Sequence, residues 1–520
     1  GMKSKRTNFG PLSLSLVLAL ILASVPGPAA AAVSGAPAKP KIAKEKRLAL
    51  DWLSRPETVE TFGRISDAIW EYAELGLQEF NSAKLLADTL EAAGFTVERG
   101  LAGMPTCFVA SYGSGKPVIG LLGEFDALPM LSQKARVPKK DPVVEGAPGH
   151  GCGHNTMGTA AAAAAIAVKE AMAAHGIKGT IKVFGSPAEE IVASRPYMIR
   201  AGLFEGVDAV IDNHSSDSFG TGYGVDGNAL FSTVFTFKGK TAHSAGAPWV
   251  GRSALDAVEI MNVAANYLRE HLHLSQRLHY VVLEGGEAPN VVPDRASVWY
   301  YVRNTDERLE EMYGRVLDCA KAGALAAGVE LVSARVISAI HQRHASKAAA
   351  ELIQRNIELV GMPAWTEEEQ AFARALQKEL GAAEKGLPAA VDELKPPSGA
   401  ATGGGSSDVG DVTLIAPTAT VGFPGLVPGA IGHHWSAVAC FHGSTAWKGL
   451  NAGAKAIAAT AIDLLTRPEE LAKLRSEFEA YAKAHPYKPF LPADATPPND
   501  LNRELMDKYR GLLEKALADK

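Results

Sequence analysis

Apolar residues between Ala43 and Phe95 recur at helical spacing, first as Ile65, Ile69 and Tyr72 and then as Leu85, Leu86 and Leu90, with Gly94 as a stop. They predict helices packed on a neighbouring layer. The pattern then shortens: Cys107 to Tyr112 and Val118 to Leu122 are apolar runs bounded by glycine and proline, which predict two buried strands. Glu124 and Asp126 fall at the carboxyl end of the second. The small-residue run Thr156 to Ala167 predicts a helix, Thr180 to Gly185 a strand, Pro187-Ala188-Glu189-Glu190 the opening of another helix, and Ala209 to Asp212 a strand leading to His214. Such alternation predicts a mostly parallel sheet of the α/β class, with polar groups gathered just beyond its strand ends.

From Asn228 the order of elements changes. Phe231 to Lys238 alternates as a strand, Ser253 to Glu270 is helical, Leu278 to Leu283 and Ala296 to Val302 are strands, Glu307 to Ala326 is helical, and Glu330 to Ile337 is a strand. The order β-α-β-β-α-β predicts a ferredoxin-like α+β domain inserted into the first. A charged, alanine-rich stretch from Glu367 to Lys395 predicts a surface helix, and Gly399 to Ser407 a flexible loop. Val412 to Ala416 and Thr418 to Val421 are strand-like, Gly449 to Leu465 is a long helix, and the tail from Pro468 is helical around a proline-rich break at Pro486 to Pro498. The expected plan is a leader over 1–32, a first catalytic part over 43–227, the insertion over 228–345, a second catalytic part over 346–480 and a helical tail over 481–520.

The charge balance of the 520 residues narrows the partners. With 47% hydrophobic and 21% charged residues and a formal net charge of −5, no feature recommends nucleic acid or an anionic membrane. Lys3, Lys5 and Arg6 precede the apolar stretch Leu12 to Val25, then Pro26-Gly27-Pro28 and an alanine run, which together describe a secretory signal peptide cut after Ala31 or Ala32. The expectation is an exported protein, periplasmic or secreted, with no membrane attachment after cleavage. Its four cysteines, Cys107, Cys152, Cys319 and Cys440, are irregularly spaced and predict no disulfide framework.

Cys152 and His154 stand two apart among glycines in Gly149-His150-Gly151-Cys152-Gly153-His154-Asn155, so both side chains can leave the backbone toward one side. A thiolate and an imidazole so placed suit a zinc-type ion. Glu190, His214 and one of His433 or His434 supply further donors at predicted strand ends or loops, a set that suits zinc, or manganese where oxygen dominates. The neighbouring carboxylates Glu189 and Glu190 permit a division of labour in which one holds metal and the other moves a proton.

Leu121 to Pro129, Gly149 to Asn155, Pro187 to Glu190, Gly239-Lys240-Thr241-Ala242-His243-Ser244 and Ala288-Pro289-Asn290-Val291-Val292-Pro293-Asp294 together resemble the M20 metallopeptidase family, especially its amidohydrolase branch and the aminobenzoyl-glutamate hydrolase group. The resemblance runs from about Ala73 to Leu465. It implies a di-metal hydrolase domain holding two divalent ions, zinc or manganese, a small lid domain that makes a homodimer, and hydrolysis of an amide joining an acyl or aryl group to an amino acid with a free carboxylate. Carried over by residue, it makes Cys152, His154, Glu190, His214 and His433 metal ligands, with His434 in reserve. It makes Glu189 the general base, Asp126 the support of a ligand, His243 a group that reaches the other subunit's substrate, and Asn290 and Arg303 substrate contacts. Asn155 departs from the aspartate that many amidohydrolases carry there. Rival readings are a dipeptidase or carboxypeptidase of the same fold and a noncatalytic metal- or ligand-binding protein.

Overall fold

The N-terminal periodicity is realised as the helices Lys44–Leu53, Pro56–Tyr72 and Phe80–Ala92, whose inward residues Leu53, Ile69, Leu86 and Leu90 are buried in the largest core. The computed structural model describes residues 42–397 and 404–518, so the predicted signal peptide and part of the predicted loop at Gly399 lie outside the described residues. Among the described residues twelve strands follow in chain order: β1 Thr96–Arg99, β2 Phe108–Ser114, β3 Val118–Glu124, β4 Gly179–Ser186, β5 Ala209–Ser216, β6 Gly224–Asp226, β7 Ala229–Lys238, β8 Arg277–Glu284, β9 Arg295–Asn304, β10 Glu330–Ile340, β11 Arg343–Ala345 and β12 Thr418–Pro424.

Six of them form a sheet in the order β1-β2-β4-β3-β5-β12. β4, β3, β5 and β12 pair in parallel, whereas β1 and β2 add antiparallel at one edge, so the sheet is mixed. The helices His154–His175 and Ser444–Thr466 pack on it through almost unbroken runs of buried small residues. Small side chains permit that approach: a Cβ on Gly158 would meet the Glu124 carbonyl oxygen at 2.5 Å. Among the described helices His154–His175 has the length and apolarity of a membrane span, but it is a core helix, 78% buried.

β7, β8, β9 and β10 form a separate antiparallel sheet in the order β10-β7-β9-β8, with the helices Ala254–Leu268 and Asp306–Ala327 on one face. The element order is the β-α-β-β-α-β expected of a ferredoxin-like unit, and it lies in the chain between β5 and β12. Along β9 the pleat sends Val298, Tyr300 and Val302 to the helices. Trp299 and Tyr301 face the other way and pack against clusters that contain Tyr197 and Val192.

Two expected elements take a different form. Val412 to Ala416 is no strand: Val409–Thr413 is a short helix, with Val409, Val412 and Ala416 all buried, and a short apolar run cannot by itself separate a buried helix from a strand. The Glu367 to Lys395 stretch yields only the helix Glu367–Glu379. Its Phe372, Ala373 and Leu376 are buried against Val427, Ala439 and Cys440, so it is half core. All four cysteines are free.

Candidate active site

Because β3, β4 and β5 run parallel, their carboxyl ends open on one edge, and the candidate residues collect there. β3 ends at Glu124, with Asp126 just beyond. Gly153, at φ 84°, turns the chain into the helix that starts at His154. Glu189 and Glu190 share a single 3-10 turn, Glu189–Ile191, flanked by Ala188 at φ 56° and Val192 at φ 52°. Non-glycine residues in the left-handed region store strain, and here the surroundings hold it: Ala188 N donates to Glu79 Oε1 at 2.8 Å and Glu190 N to Asp126 Oδ2 at 2.9 Å. His214 lies within β5, and His433, also left-handed at φ 57°, donates its backbone N–H to Gly151 O at 3.0 Å.

The side chains meet as two donor groups that share one thiol, Cys152 with His154 and His214, and Cys152 with Glu190 and His433. Cys152 Sγ is 3.5 Å from His214 Nε2, and His433 Nε2 is 3.3 Å from Glu190 Oε2. Two ligands of one tetrahedral ion stand about 3.3–3.6 Å apart, so these separations fit shared ions. Glu124, His154 and Glu189 form a third group. His154 Nδ1 bonds Asp126 Oδ1 at 2.8 Å and His214 Nδ1 bonds Ser215 O at 2.7 Å, which leaves both Nε2 atoms facing the cluster. Glu124 Oε2, His154 Nε2 and Glu190 Oε1 are buried without a hydrogen-bond partner. Orphaned donor atoms converging in this way fit cations. His434 turns away and caps the helix Trp435–Val438 by accepting from Ser436 N.

Burial pushes the Cys152 thiol up to about 12 and His214 down to about 4. Burial likewise raises Glu190 to about 8, with Asp126 and Glu124 adding to it, and lifts Glu189 well above the usual carboxyl range, with Glu124 adding to it. Burial opposes charge on His154, but Glu190, Cys152, Glu124 and Asp126 hold its pKa well above the ordinary value. The pocket is short of positive charge, and divalent cations would supply it and reverse these shifts.

The remaining sequence candidates are distributed unevenly. Arg303, on β9, donates to Ser406 Oγ at 3.2 Å, keeps a buried Nε without a partner, and makes no ion pair among the described residues. His243 and Asn290 are exposed neighbours, joined through Ser244 N to Asn290 O at 3.1 Å, and belong to none of the donor groups. Asn155 is a structural tie, donating to Ser66 and to Phe441 O. Two site residues have no role assigned from sequence, Glu124 and Arg195. For Glu124 a signal exists: it precedes Asp126 by two on an extended segment, the spacing that sends side chains to one side. Arg195 gives none.

The sequence profile described as peptidase family M20/M25/M40 matches residues 120–437. The chain is 36% identical over 460 residues to a subunit of the p-aminobenzoyl-glutamate hydrolase of Escherichia coli, covering 83% of this chain and 95% of that protein. It is 28% identical over 437 residues to a Xaa-Arg dipeptidase of Mus musculus, covering 81% and 90%. In fold it resembles an aminobenzoyl-glutamate utilization protein from Klebsiella pneumoniae, with a TM-score of 0.52, 17% identity, and coverage of 80% of this chain and 98% of that one. The donor cluster at the strand ends and these matches over most of the chain have one source: the protein belongs to peptidase family M20/M25/M40 and is a metal-dependent hydrolase of the peptidase or amidohydrolase kind.

Proposed function

We propose that this protein hydrolyses the amide bond of an N-acyl or N-aryl amino acid of the aminobenzoyl-glutamate type. The carrying observation is the Glu189–Glu190 turn beside two donor groups that share Cys152. Cys152, His154, Glu190, His214 and His433 would hold two divalent ions, zinc or manganese. When bound, the ions supply a Lewis acid for the amide carbonyl and lower the pKa of water. Glu189 takes the proton of the attacking water and returns it to the leaving nitrogen. Arg303, a half-buried guanidinium without a carboxylate of its own, is suited to the substrate's carboxylate. The name of the Escherichia coli relative supports the aryl-amide reading.

His243 and Asn290 serve best in a homodimer, where they would meet the other copy's substrate. Exposed apolar residues support a second copy as the occupant of that face: Ile260, Val263 and Tyr267 on the helix Ala254–Leu268, and Val281, Val282 and Leu283 on the edge strand β8. We further propose export to the periplasm or medium through the leader over 1–32.

The test is hydrolysis of a panel of N-acyl and N-aminobenzoyl amino acids and dipeptides with added zinc or manganese, comparing the parent with Glu189→Gln. The expected result is metal-dependent cleavage of the amino acid amides that falls about 10²–10⁴-fold in the variant while its metal content is unchanged. Preference for dipeptides would move the assignment to a dipeptidase. Absence of turnover by a folded, metal-loaded dimer would make it a binding protein.

A further inference from the structure

Glu124 ends β3 and is 3% exposed. Its Oε1 accepts from Arg195 Nη2 at 2.7 Å, while its Oε2 has no partner and stands 3.3 Å from His154 Nε2, itself without a partner. That facing pair needs an explanation. The other imidazole nitrogen, Nδ1, bonds the acceptor-only carboxylate of Asp126 and so carries one proton; when Nε2 gives up the other, it presents a lone pair. Two acceptors then confront each other in a dry pocket at a separation that repels, unless a positive charge lies between them. A nitrogen and an oxygen that share one ion, each about 2.0–2.2 Å from it, are separated by about 3.3 Å.

Arg195 determines which oxygen is left over. A guanidinium placed only to neutralise Glu124 would engage both of its oxygens in a two-pronged pair. Arg195, fully buried, instead divides its terminal nitrogens between Glu124 and Asp408 Oδ1. Asp408 is fixed in turn, since its Oδ2 accepts from Ser194 N at 3.1 Å, Ser194 Oγ at 3.0 Å and Arg195 N at 2.9 Å. One oxygen of Glu124 is thus tied to a rigid frame and the other is aimed at the imidazole.

We infer that Glu124 is a sixth protein donor of the metal centre, directed at the ion held by His154, and that Arg195 and Asp408 are the positioning residues that aim it. The inference rests on the metal-dependent reading of the site and deepens it.

The test is zinc binding by the full chain, measured by chelator competition and by metal content after dialysis. The parent is compared with Glu124→Gln, which keeps shape and the Arg195 bond but loses the charge. With two ions bound by the parent, Glu124→Gln should hold one of them about 10–100-fold more weakly and the other unchanged. Two ions held within twofold of the parent affinities would overturn the inference. A parent that binds no zinc or manganese would overturn the metal centre itself, a separable result. If Glu124→Gln fails to fold by circular dichroism, Glu124→Asp decides. It keeps the charge but withdraws the oxygen by one methylene, and unchanged affinity for both ions there refutes the role.

Discussion

Replacing Asp126 by asparagine isolates the orientation of one histidine. Asp126 makes two bonds of different kinds: Oδ1 accepts from the His154 ring at 2.8 Å, and Oδ2 accepts from Glu190 N at 2.9 Å. An asparagine can keep the second through its amide oxygen, so the Glu189–Glu190 turn stays in place. Its NH2 group then faces His154 Nδ1, which must become the acceptor, and the ring proton moves to Nε2, the atom turned toward the donor cluster. A protonated Nε2 cannot ligate, and restoring the proton to Nδ1 sets two donors against each other. Losing the partner that orients a ligating histidine weakens metal binding about 10–100-fold, which converts to roughly 1.4–2.7 kcal/mol. The assay is zinc affinity by chelator competition for Asp126→Asn and the parent, with urea unfolding of the metal-free proteins as control. Affinity should fall by that factor while the metal-free stability changes far less. Metal affinity within twofold of the parent would refute the argument.

The Asp306 cluster, remote from the donor groups, yields a pH dependence. Burial works against ionisation of Asp306, but the His341 ring 3.3 Å away and the hydrogen bond from His344 hold its carboxyl well below the usual range, while Asp306 and Asp411 raise His341 against burial. A depressed carboxyl stabilises above its unfolded pKa of about 4, and a raised histidine stabilises below about 6.5 and loses this as pH climbs through its folded value. Asp306→Asn should therefore cost about 2 kcal/mol near pH 5.5 and clearly less near pH 9 in urea unfolding, and an equal cost at both would contradict the pairing. If the proposed dimer shares its sites, mixing Glu189→Gln with His243→Ala chains should restore activity to about a quarter of the sites, because one site in each mixed dimer is intact. No recovery would mean that His243 acts within its own chain or not at all.

What is legible in the sequence follows from how strongly each segment's environment constrains its residues. The helices before Phe95 carry a 3.6-residue stripe because one face is buried and the other wet. β3 as far as Leu122 and the start of β5, Ala209 to Ile211, read as unbroken apolar runs because both faces of the sheet are covered there. β1 leaves no trace: it is four residues, Thr96–Arg99, mostly exposed, with Val97 alone of them packed on the core. Val412 to Ala416 reads as a strand, although Val409–Thr413 is a helix, because burial on every side removes periodicity. In the site, the donor side chains are visible through unusual local composition, glycines around Cys152 and two adjacent glutamates. The frame behind Glu124 is not. Asp408, in Ser406-Ser407-Asp408-Val409-Gly410-Asp411, reads in sequence equally as a group that orients a ligand or as one that satisfies loop amides, and Arg195 lies 213 positions away, so only the fold reveals that Arg195 ties Asp408 to Glu124.

His243 and Asn290 show the opposite limit. Their motifs are as distinct in sequence as those of the proposed ligands, yet the structure leaves them exposed and outside the donor groups. Exposure alone would suit an ordinary loop. The loop is nevertheless ordered by its own bonds, with His243 Nδ1 accepting from Ala245 N at 3.2 Å and Gly246 N at 3.1 Å. An imidazole whose Nδ1 accepts from the backbone keeps its proton on Nε2, so the outward nitrogen is a donor, the form needed to polarise a carbonyl. The loop therefore prepares a hydrogen-bond donor that finds no acceptor among the donor groups of its own chain, and a second copy docked on the apolar helix and edge strand of the same small sheet is the arrangement that would give it one.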